Sequence, residues 1–411
     1  MVQIRPFAAL RPKKGKADKI AALPYDVYSR KEAAEKVKGD EDTFLRIDRP
    51  ETQFSPDTDM YAPFVYEKAD ELLKKMEEEG DLIQEASPCY YLYELTMNGR
   101  SQTGLAACYS VEEYRRGIVR KHENTRKEKE QDRICHIDAC SAQTGPVFLT
   151  YRPDKEIKQV IDREKEKEPV YDFTAEDGVR HRLFVISDPE TTERLTGLFE
   201  KVERLYIADG HHRAAAAAAV SDLRRRAHPE STGEEEFMSV LSVIFSEDEL
   251  KILPYHRVLK DLGGRTPEQL LEVLTDVFTI GQAPVSPYEP TKKGEMGLYL
   301  DGTWYRLQVK QEHCLQDPIG SLDVAYLQRE VLAPVFGIED PRTDGRIDFV
   351  GGIRGLKELE RRCSSDCKAA FAMYPTSMEE LLDAADANLL MPPKSTWFEP
   401  KLRSGLLIHK I

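Results

Sequence analysis

The sequence predicts a mixed α/β fold, and three patterns support this class. Short apolar runs rich in Val, Ile and Tyr alternate with longer charged segments that have helical periodicity. An Asn98-Gly99 pair separates two strand-like runs, which is typical of a β-hairpin. Residues 205–207 are apolar and lead through Asp209-Gly210 into six consecutive alanines, so we expect a strand, a tight turn and a helix.

The N-terminal half contains the clearest periodic segments. Residues 61–79 place apolar side chains three and four positions apart and stop at Gly80, which predicts a helix with a glycine at its C-terminal end. Hairpin strands are predicted at 90–97 and 103–111. The remaining predicted strands are at 44–48, 144–151, 170–173 and 181–186, and the remaining predicted helices are at 31–38, 157–168 and 192–203.

The C-terminal half repeats the same alternation after a polar loop at 228–236. Residues 237–245 form an almost continuous apolar run, which predicts a buried strand. Further strands are predicted at 297–300, 303–309 and 369–374, and helices at 323–336, ending before Gly337, and at 378–387. Because the loop is the clearest candidate linker, we predict one domain over residues 1–235 and a second over 236–411.

Composition excludes several classes of protein. The net charge of −14 over 411 residues argues against a general nucleic-acid surface, which needs a basic excess. No secretory signal and no apolar stretch of membrane-spanning length is visible, and seven irregularly spaced cysteines fit reduced thiols. We therefore expect a cytoplasmic protein without a membrane partner, and a homo-oligomer is compatible with these features.

The predicted turn has the chemistry of an anion-binding site. A helix that follows Gly210 leaves its first backbone N–H groups unpaired at the positive end of the helix dipole, where phosphate binds readily. His211, His212 and Arg213 would lie in the first helical turn and could contact a bound anion. The alternative is structural, with the two histidines in capping or core positions and Arg213 in an ordinary ion pair.

Four other stretches are candidates for binding, and three of them also have a simpler interpretation. The run containing Arg120, His122, Glu123, Thr125 and Arg133 could contact phosphate or hold Mg²⁺, or it could be a solvated helix face. The consecutive Lys394, Ser395 and Thr396 lie among prolines that restrict the backbone. Tyr25-Asp26 could be a turn and His256-Arg257 a structural pair, or both could serve a ligand.

These same residues carry a resemblance to a known family. The string Ala-Asp-Gly-His-His-Arg at 208–213 resembles the signature of domain of unknown function 1015, and this resemblance extends over most of the chain. Pro-Tyr-Asp-Val at 24–27, Phe-Leu-Arg at 44–46, Tyr-His-Arg at 255–257 and Met-Pro-Pro-Lys-Ser-Thr at 391–396 are similar to segments of that family. The run at 120–125 resembles its Arg-His-Glu-x-Thr segment, with Lys121 as an extra residue.

The turn alone is also similar to the box of the ParB/sulfiredoxin-like superfamily, which includes CTP-binding partition proteins, ATP-using sulfiredoxins and kinases of free serine. The resemblance implies a ParB/sulfiredoxin-like core with large insertions, followed by a second α/β part whose C-terminal segment returns to the site. It also implies a small-molecule kinase that uses ATP, ADP or pyrophosphate, with Mg²⁺ as cofactor and free serine as one acceptor.

The resemblance further implies roles for particular residues. Asp209, Asp26 and Glu123 would be catalytic, and Asp209 and Glu123 would hold the metal. Tyr25, His256 and Arg257 would contact the substrate. The implied phosphate- or nucleotide-binding residues are Gly210, His211, His212, Arg213, Arg120, His122, Thr125, Arg133, Lys394, Ser395 and Thr396. Two other functions stay open, a nucleotide-binding regulatory protein of the ParB-like type and a metal-dependent phosphohydrolase.

Overall fold

The structure, a computed structural model, describes residues 1–411. Its chain forms two compact units. The first unit contains Met1–Lys121, Thr125–Leu250 and Pro400–Ile411, and the second contains His122–Asn124 and Lys251–Glu399. This division differs from the predicted boundary at residue 235, because the apolar strand Ser239–Ser246 and the last residues of the chain belong to the first unit.

The strands are short at the chain ends and longest in the central hairpin. They are β1 (Ile4–Arg5), β2 (Leu10–Pro12), β3 (Leu82–Gln84), β4 (Tyr90–Met97), β5 (Arg100–Ser110), β6 (Val119–Arg120), β7 (Ala142–Gln143), β8 (Val147–Tyr151), β9 (Tyr171–Thr174), β10 (Arg180–Ile186), β11 (Leu205–Asp209), β12 (Ser239–Ser246), β13 (Ile252–Leu253), β14 (Tyr255–Leu259), β15 (Phe278–Gln282), β16 (Glu295–Leu300), β17 (Thr303–Val309), β18 (Ile347–Gly351), β19 (Ala369–Ala372), β20 (Trp397–Phe398) and β21 (His409–Lys410).

The helices alternate with these strands along most of the chain, which is therefore a mixed α/β protein. They are α1 (Ala17–Ile20), α2 (Arg30–Lys36), α3 (Leu45–Asp48), α4 (Pro63–Glu78), α5 (Val111–Arg115), α6 (Lys127–Cys140), α7 (Lys155–Glu164), α8 (Pro189–Phe199), α9 (His211–Ala227), α10 (Pro267–Leu274), α11 (Asp323–Leu327), α12 (Ala333–Phe336), α13 (Leu356–Ser365) and α14 (Met378–Asp386).

The first unit is built on a mixed sheet of nine strands. Its strand order is β6-β11-β8-β12-β5-β4-β10-β9, and β1 also pairs with β5. Strands β6 and β11 are parallel, as are β8 and β12, while the other pairs are antiparallel. Leu92, Leu105 and Leu149 from the sheet pack with Leu195 of α8 and Ala214 of α9 in one buried core. The sheet therefore supports α9, which carries the predicted turn at its start.

A second buried cluster in the first unit lies around α3 and α4. It includes Phe44, Leu45 and Ile47 together with Leu72 and Leu73. Residues 44–48 were predicted as a strand, and this was wrong because the segment forms the short helix α3. The Thr43 hydroxyl accepts a hydrogen bond from the Leu45 N–H (3.4 Å) just before α3. A segment of five residues with only three apolar side chains cannot by itself distinguish helix from strand.

The second unit contains an antiparallel sheet in the order β15-β17-β16-β19-β14-β18. The helix predicted at 323–336 is present, but its middle section, Gln328–Leu332, is a π-helical turn between α11 and α12. Pro334 has no N–H and its ring crowds the preceding turn, so a local widening of the helix accommodates it. Nowhere in the structure does a helix combine the length and the apolar character needed to cross a membrane.

Candidate functional site

The strand, turn and helix predicted at residues 205–219 are confirmed. Strand β11 ends at Asp209, and α9 begins at His211 and runs for 17 residues. Gly210 joins them with φ 93° and ψ 30°, in the left-handed region that glycine enters without steric penalty. A Cβ on Gly210 would also lie 2.9 Å from the Arg213 Nε. Gly210 is therefore required both by the backbone conformation and by the close approach of the Arg213 side chain.

Two cations meet the carboxylate at the end of β11. The Arg213 Nη2 donates a hydrogen bond to the Asp209 Oδ2 (3.2 Å), and the Lys401 Nζ lies 3.6 Å from the same oxygen. Arg213 also donates to the Pro146 carbonyl. Both cationic side chains are 11% exposed, so they are held close to the N-terminal end of α9 with limited solvation. The start of α9 thus combines the positive end of the helix dipole with two cationic side chains.

The two histidines of the turn have different surroundings. His211 is buried, whereas His212 is more accessible, and its Nε2 accepts a hydrogen bond from the Arg126 backbone N–H (2.9 Å). An accepting Nε2 carries no proton, so His212 is neutral in this arrangement. The bond attaches the segment before α6 to the turn, because Arg126 immediately precedes that helix.

A cavity beside the turn brings distant parts of the first unit together. Its walls include Arg213, Tyr25, Arg133, Thr144 and Ser404. The Arg133 guanidinium carbon lies 4.0 Å from the centre of the Tyr25 ring, a cation–π distance. Burial, together with the neighbouring Asp26 charge, raises the pKa of Tyr25 well above its usual range, so its hydroxyl stays protonated. Tyr25 and Arg133, both predicted as site residues, therefore share one cavity with Arg213.

Buried charges next to this cavity are compensated within the chain. The Arg133 Nη2 donates to the Asp132 Oδ2 (2.9 Å), and the Tyr66 hydroxyl donates to the Asp132 Oδ1 (3.0 Å). Burial alone would raise the pKa of Asp132, but the Arg133 charge and the Tyr66 hydrogen bond outweigh it and lower that pKa. Burial and the Arg133 charge lower the pKa of His136, which stays neutral.

The remaining predicted site residues of the first unit lie at three different positions in the fold. Arg120 lies on β6, paired with Tyr206 of β11, so it is on the strand adjacent to the one that ends at the turn. The Thr125 hydroxyl donates to the Glu130 Oε2 (2.5 Å), next to the start of α6. Asp26 is exposed and lines a larger cavity with Tyr25 and Arg133.

Several of the predicted site residues, including Glu123, belong to the second unit. The Thr396 hydroxyl is 3.5 Å from the His122 Nε2, and the His122 carbonyl accepts from the Met391 N–H (2.8 Å). The Ser395 hydroxyl donates to the Pro392 carbonyl (2.6 Å). Lys394 has φ 58°, and its ammonium lies 5.5 Å from the centre of the Tyr255 ring. His122 and the 394–396 segment are therefore neighbours within this unit.

His256 and Arg257 are buried in the second unit with structural partners. The His256 Nδ1 accepts from the Met373 N–H (3.1 Å), and burial together with the Arg257 charge lowers the pKa of His256 to about 4. The Arg257 Nη2 donates to the Lys394 carbonyl (3.1 Å), and burial lowers the pKa of Arg257 to about 10. Arg257 therefore holds the backbone of the left-handed Lys394.

Sequence reasoning missed Lys401, Arg49 and Glu51. Lys401 lies within the proline-rich C-terminal stretch that the sequence singled out, so a cation there could have been considered. Arg49 and Glu51 form a buried ion pair (2.6 Å) at the cavity that Asp26 lines. No local pattern marks them, because a charge next to a proline is common in loops.

Solved structures resemble this chain weakly. A free serine kinase in complex with AMP is 13% identical with a TM-score of 0.37, covering 74% of this chain and 91% of that chain. A variant of free serine kinase in complex with ADP has the same identity and TM-score, with 92% of its own chain covered. SbnI with a C-terminal truncation, from Staphylococcus aureus, is 11% identical with a TM-score of 0.39, covering 74% of this chain and 86% of that chain.

The comparison with curated proteins found no match. The family described as "Protein of unknown function (DUF1015)" matches residues 4–325, which is well over half of the 411 residues. The match includes the 208–213 turn, the Tyr25-Asp26 segment and the 120–125 run that carried the resemblance. The chain therefore belongs to the DUF1015 family.

Proposed function

We propose that this protein is a small-molecule kinase that transfers a phosphoryl group from ATP, ADP or pyrophosphate to a hydroxyl group, with free serine among the acceptors to be tested. The observation that carries the proposal is the turn at the start of α9. Helical N–H groups, Arg213 and Lys401 together provide positive charge around one point, and phosphate groups bind at such helix ends.

Phosphoryl transfer suits this arrangement because the protein's main task is to position the reactants and to neutralise charge. Arg213 and Lys401 would bind donor oxygens, and Asp209 would keep both cations in place. Mg²⁺ commonly takes one or two carboxylates together with phosphate oxygens, and Asp209 is the carboxylate at the turn. When bound, the metal would neutralise negative charge on the donor.

The base is proposed from the surroundings of the candidate carboxylates. Asp209 already interacts with two cations, which stabilise its ionised form and make it a weaker proton acceptor. Asp26 has no such ion pair and lines a cavity of about 240 Å³ together with Tyr25 and Arg133. We therefore assign Asp26 the role of general base and Asp209 that of phosphate-site carboxylate, and Glu123 of the second unit stays the third candidate.

The test is a panel of ATP, ADP, CTP and pyrophosphate against hydroxyl-bearing acceptors, scored by ³¹P NMR for phosphate transfer. Arg213→Ala removes one charge-assisted contact and should weaken donor binding by about 1.5–3 kcal/mol in calorimetry. Arg180→Ala is the matched control, because Arg180 makes an exposed ion pair with Asp172 in the same unit. Unchanged donor affinity in folded Arg213→Ala would exclude the proposed phosphate site.

The same panel separates the alternatives. Phosphate release without any acceptor would indicate a phosphohydrolase, and retention of a metal after purification would support that function. Nucleotide binding without transfer or hydrolysis would indicate a regulatory nucleotide-binding protein of the ParB-like type. Asp26→Asn should lower the transfer rate by about 100-fold or more if Asp26 is the base, with donor affinity unchanged.

A further inference from the structure

The cavity that Asp26 lines is bounded by buried charged side chains. Its volume is about 240 Å³, and its walls come from the loop before α2, from residues 49–51, from Tyr66 of α4 and from one face of α6. Arg49, Glu51, Asp132 and Arg133 line it, and each of them is at most 7% exposed. Charged residues are rarely buried to this extent unless they are paired, so this is an organised polar site.

The buried charges cancel in pairs. The Arg49 Nε donates to the Glu51 Oε1 (2.6 Å), and the Arg133 Nη2 donates to the Asp132 Oδ2 (2.9 Å). Arg49 also donates to the carbonyls of Tyr25 and Tyr28, which fixes the loop that carries Asp26. An ionic ligand at the base of the cavity would have to compete with one of these ion pairs. The paired charges at the base of the cavity therefore favour an uncharged group of a ligand there, and the remaining charged residues of the wall are Asp26, Arg30 and Lys129.

Hydrogen-bonding atoms without a partner in the chain remain on three of these four walls. The Glu51 Oε2, the Arg49 Nη2, the Arg133 Nη1 and the Tyr25 hydroxyl make no hydrogen bond within the chain. None of these atoms is fully enclosed by the protein, so each remains in contact with solvent-filled space. The site thus offers guanidinium donors, a carboxylate acceptor and a phenol that can do both.

We infer that this cavity binds a neutral polyhydroxylated compound, a sugar or polyol, and holds it as the phosphoryl acceptor. A hydroxyl group donates one hydrogen bond and accepts others, so it can pair with a carboxylate oxygen and a guanidinium N–H together. The apolar C–H faces of such a compound can pack on the rings of Tyr25 and Tyr66, which line the cavity. This inference names the acceptor class and rests on the proposed kinase function.

The transfer step is balanced with the residues present. The acceptor oxygen forms a new bond to the donor's terminal phosphorus while the bond from that phosphorus to the leaving nucleotide or phosphate oxygen breaks. The hydroxyl proton passes to the carboxylate of Asp26, on the cavity wall. Tyr25 and Arg133 also line the cavity beside Arg213, so the proposed acceptor and donor sites share two residues.

The first experiment measures acceptor binding without any phosphate transfer. The full-length protein is titrated calorimetrically with glycerol, D-ribose and myo-inositol, and in parallel with serine and glycerate. At least one neutral polyol should bind with a Kd below about 10 mM, and more tightly than both charged compounds. Binding of serine or glycerate in preference to every polyol, or no polyol binding, would overturn the inference.

Variants then test the cavity wall. Glu51→Gln should weaken polyol binding by about tenfold or more, because it removes the carboxylate acceptor. Glu176→Gln is the control: Glu176 is exposed and outside this cavity, and polyol binding should not change. Tyr25→Phe, which removes only the hydroxyl, should weaken binding severalfold and provides the test if Glu51→Gln does not fold. Equal affinity in both folded variants would contradict the assignment.

The same experiments distinguish failure of the proposed kinase function from failure of the polyol site. A polyol that binds but accepts no phosphate from any donor would refute the proposed function and leave the cavity assignment intact. Phosphate transfer to serine alone would support the kinase and refute the polyol site.

Discussion

Gly210→Ala tests the turn without removing any charge from it. Gly210 has φ 93°, and an L-residue in the left-handed region costs about 1–2 kcal/mol. The new Cβ would lie 2.9 Å from the Arg213 Nε and 3.0 Å from its Cζ and Nη2, so the guanidinium has to move. Loss of its 3.2 Å hydrogen bond to Asp209 costs about 1.5–3 kcal/mol more. We expect a total near 3 kcal/mol.

Gly80→Ala is the matched control for backbone strain. Gly80 has φ 73°, but no atom lies within 4 Å of a Cβ built there, so only the conformational cost applies. Gly210→Ala should lower Tm by roughly 5–10 °C and Gly80→Ala by about half as much or less. In calorimetry, donor affinity should fall about tenfold for Gly210→Ala and stay constant for Gly80→Ala.

This reasoning would be refuted if the position of the Arg213 side chain did not depend on Gly210. Equal losses of Tm in the two variants would mean that the guanidinium moves aside without cost. Unchanged donor affinity in folded Gly210→Ala would mean that the position of Arg213 does not matter for phosphate binding.

Three further predictions concern single carboxylates. Burial raises the pKa of Glu113 to about 7. The stability that its protonated form contributes is therefore present below the unfolded pKa of about 4.5 and is lost as the pH rises to 7. In urea unfolding, the free energy of unfolding of Glu113→Gln should gain about 3 kcal/mol relative to that of wild type between pH 4 and pH 8. Tyr66→Phe removes the 3.0 Å hydrogen bond to Asp132 and should cost about 2 kcal/mol, and a cost near zero would show that water replaces it. Asp209→Asn should lower the transfer rate about 100-fold if Asp209 serves as metal ligand or base, whereas a structural Asp209 would change only Tm.

Local sequence determined most of the secondary structure of this protein. The hairpin of β4 and β5 forms around Asn98-Gly99 because both residues adopt positive φ, at 52° and 77°. The β11–α9 connection follows from Gly210 and the alanine run in the same way. Where the local signal was short, as at residues 44–48, prediction failed because tertiary contacts around α3 decide the conformation.

Only the tertiary structure decided which residues form the candidate site. Tyr25, Arg133 and Arg213 are separated by 80 positions or more, as Arg213 and Lys401 are, and no periodicity encodes their distances. These residues come close together because of the strand order of the sheet and the packing of α6 against α9. The charge of Asp132 is likewise set by folding, because the Arg133 cation and the Tyr66 hydrogen bond placed beside it outweigh the cost of burial and lower its pKa.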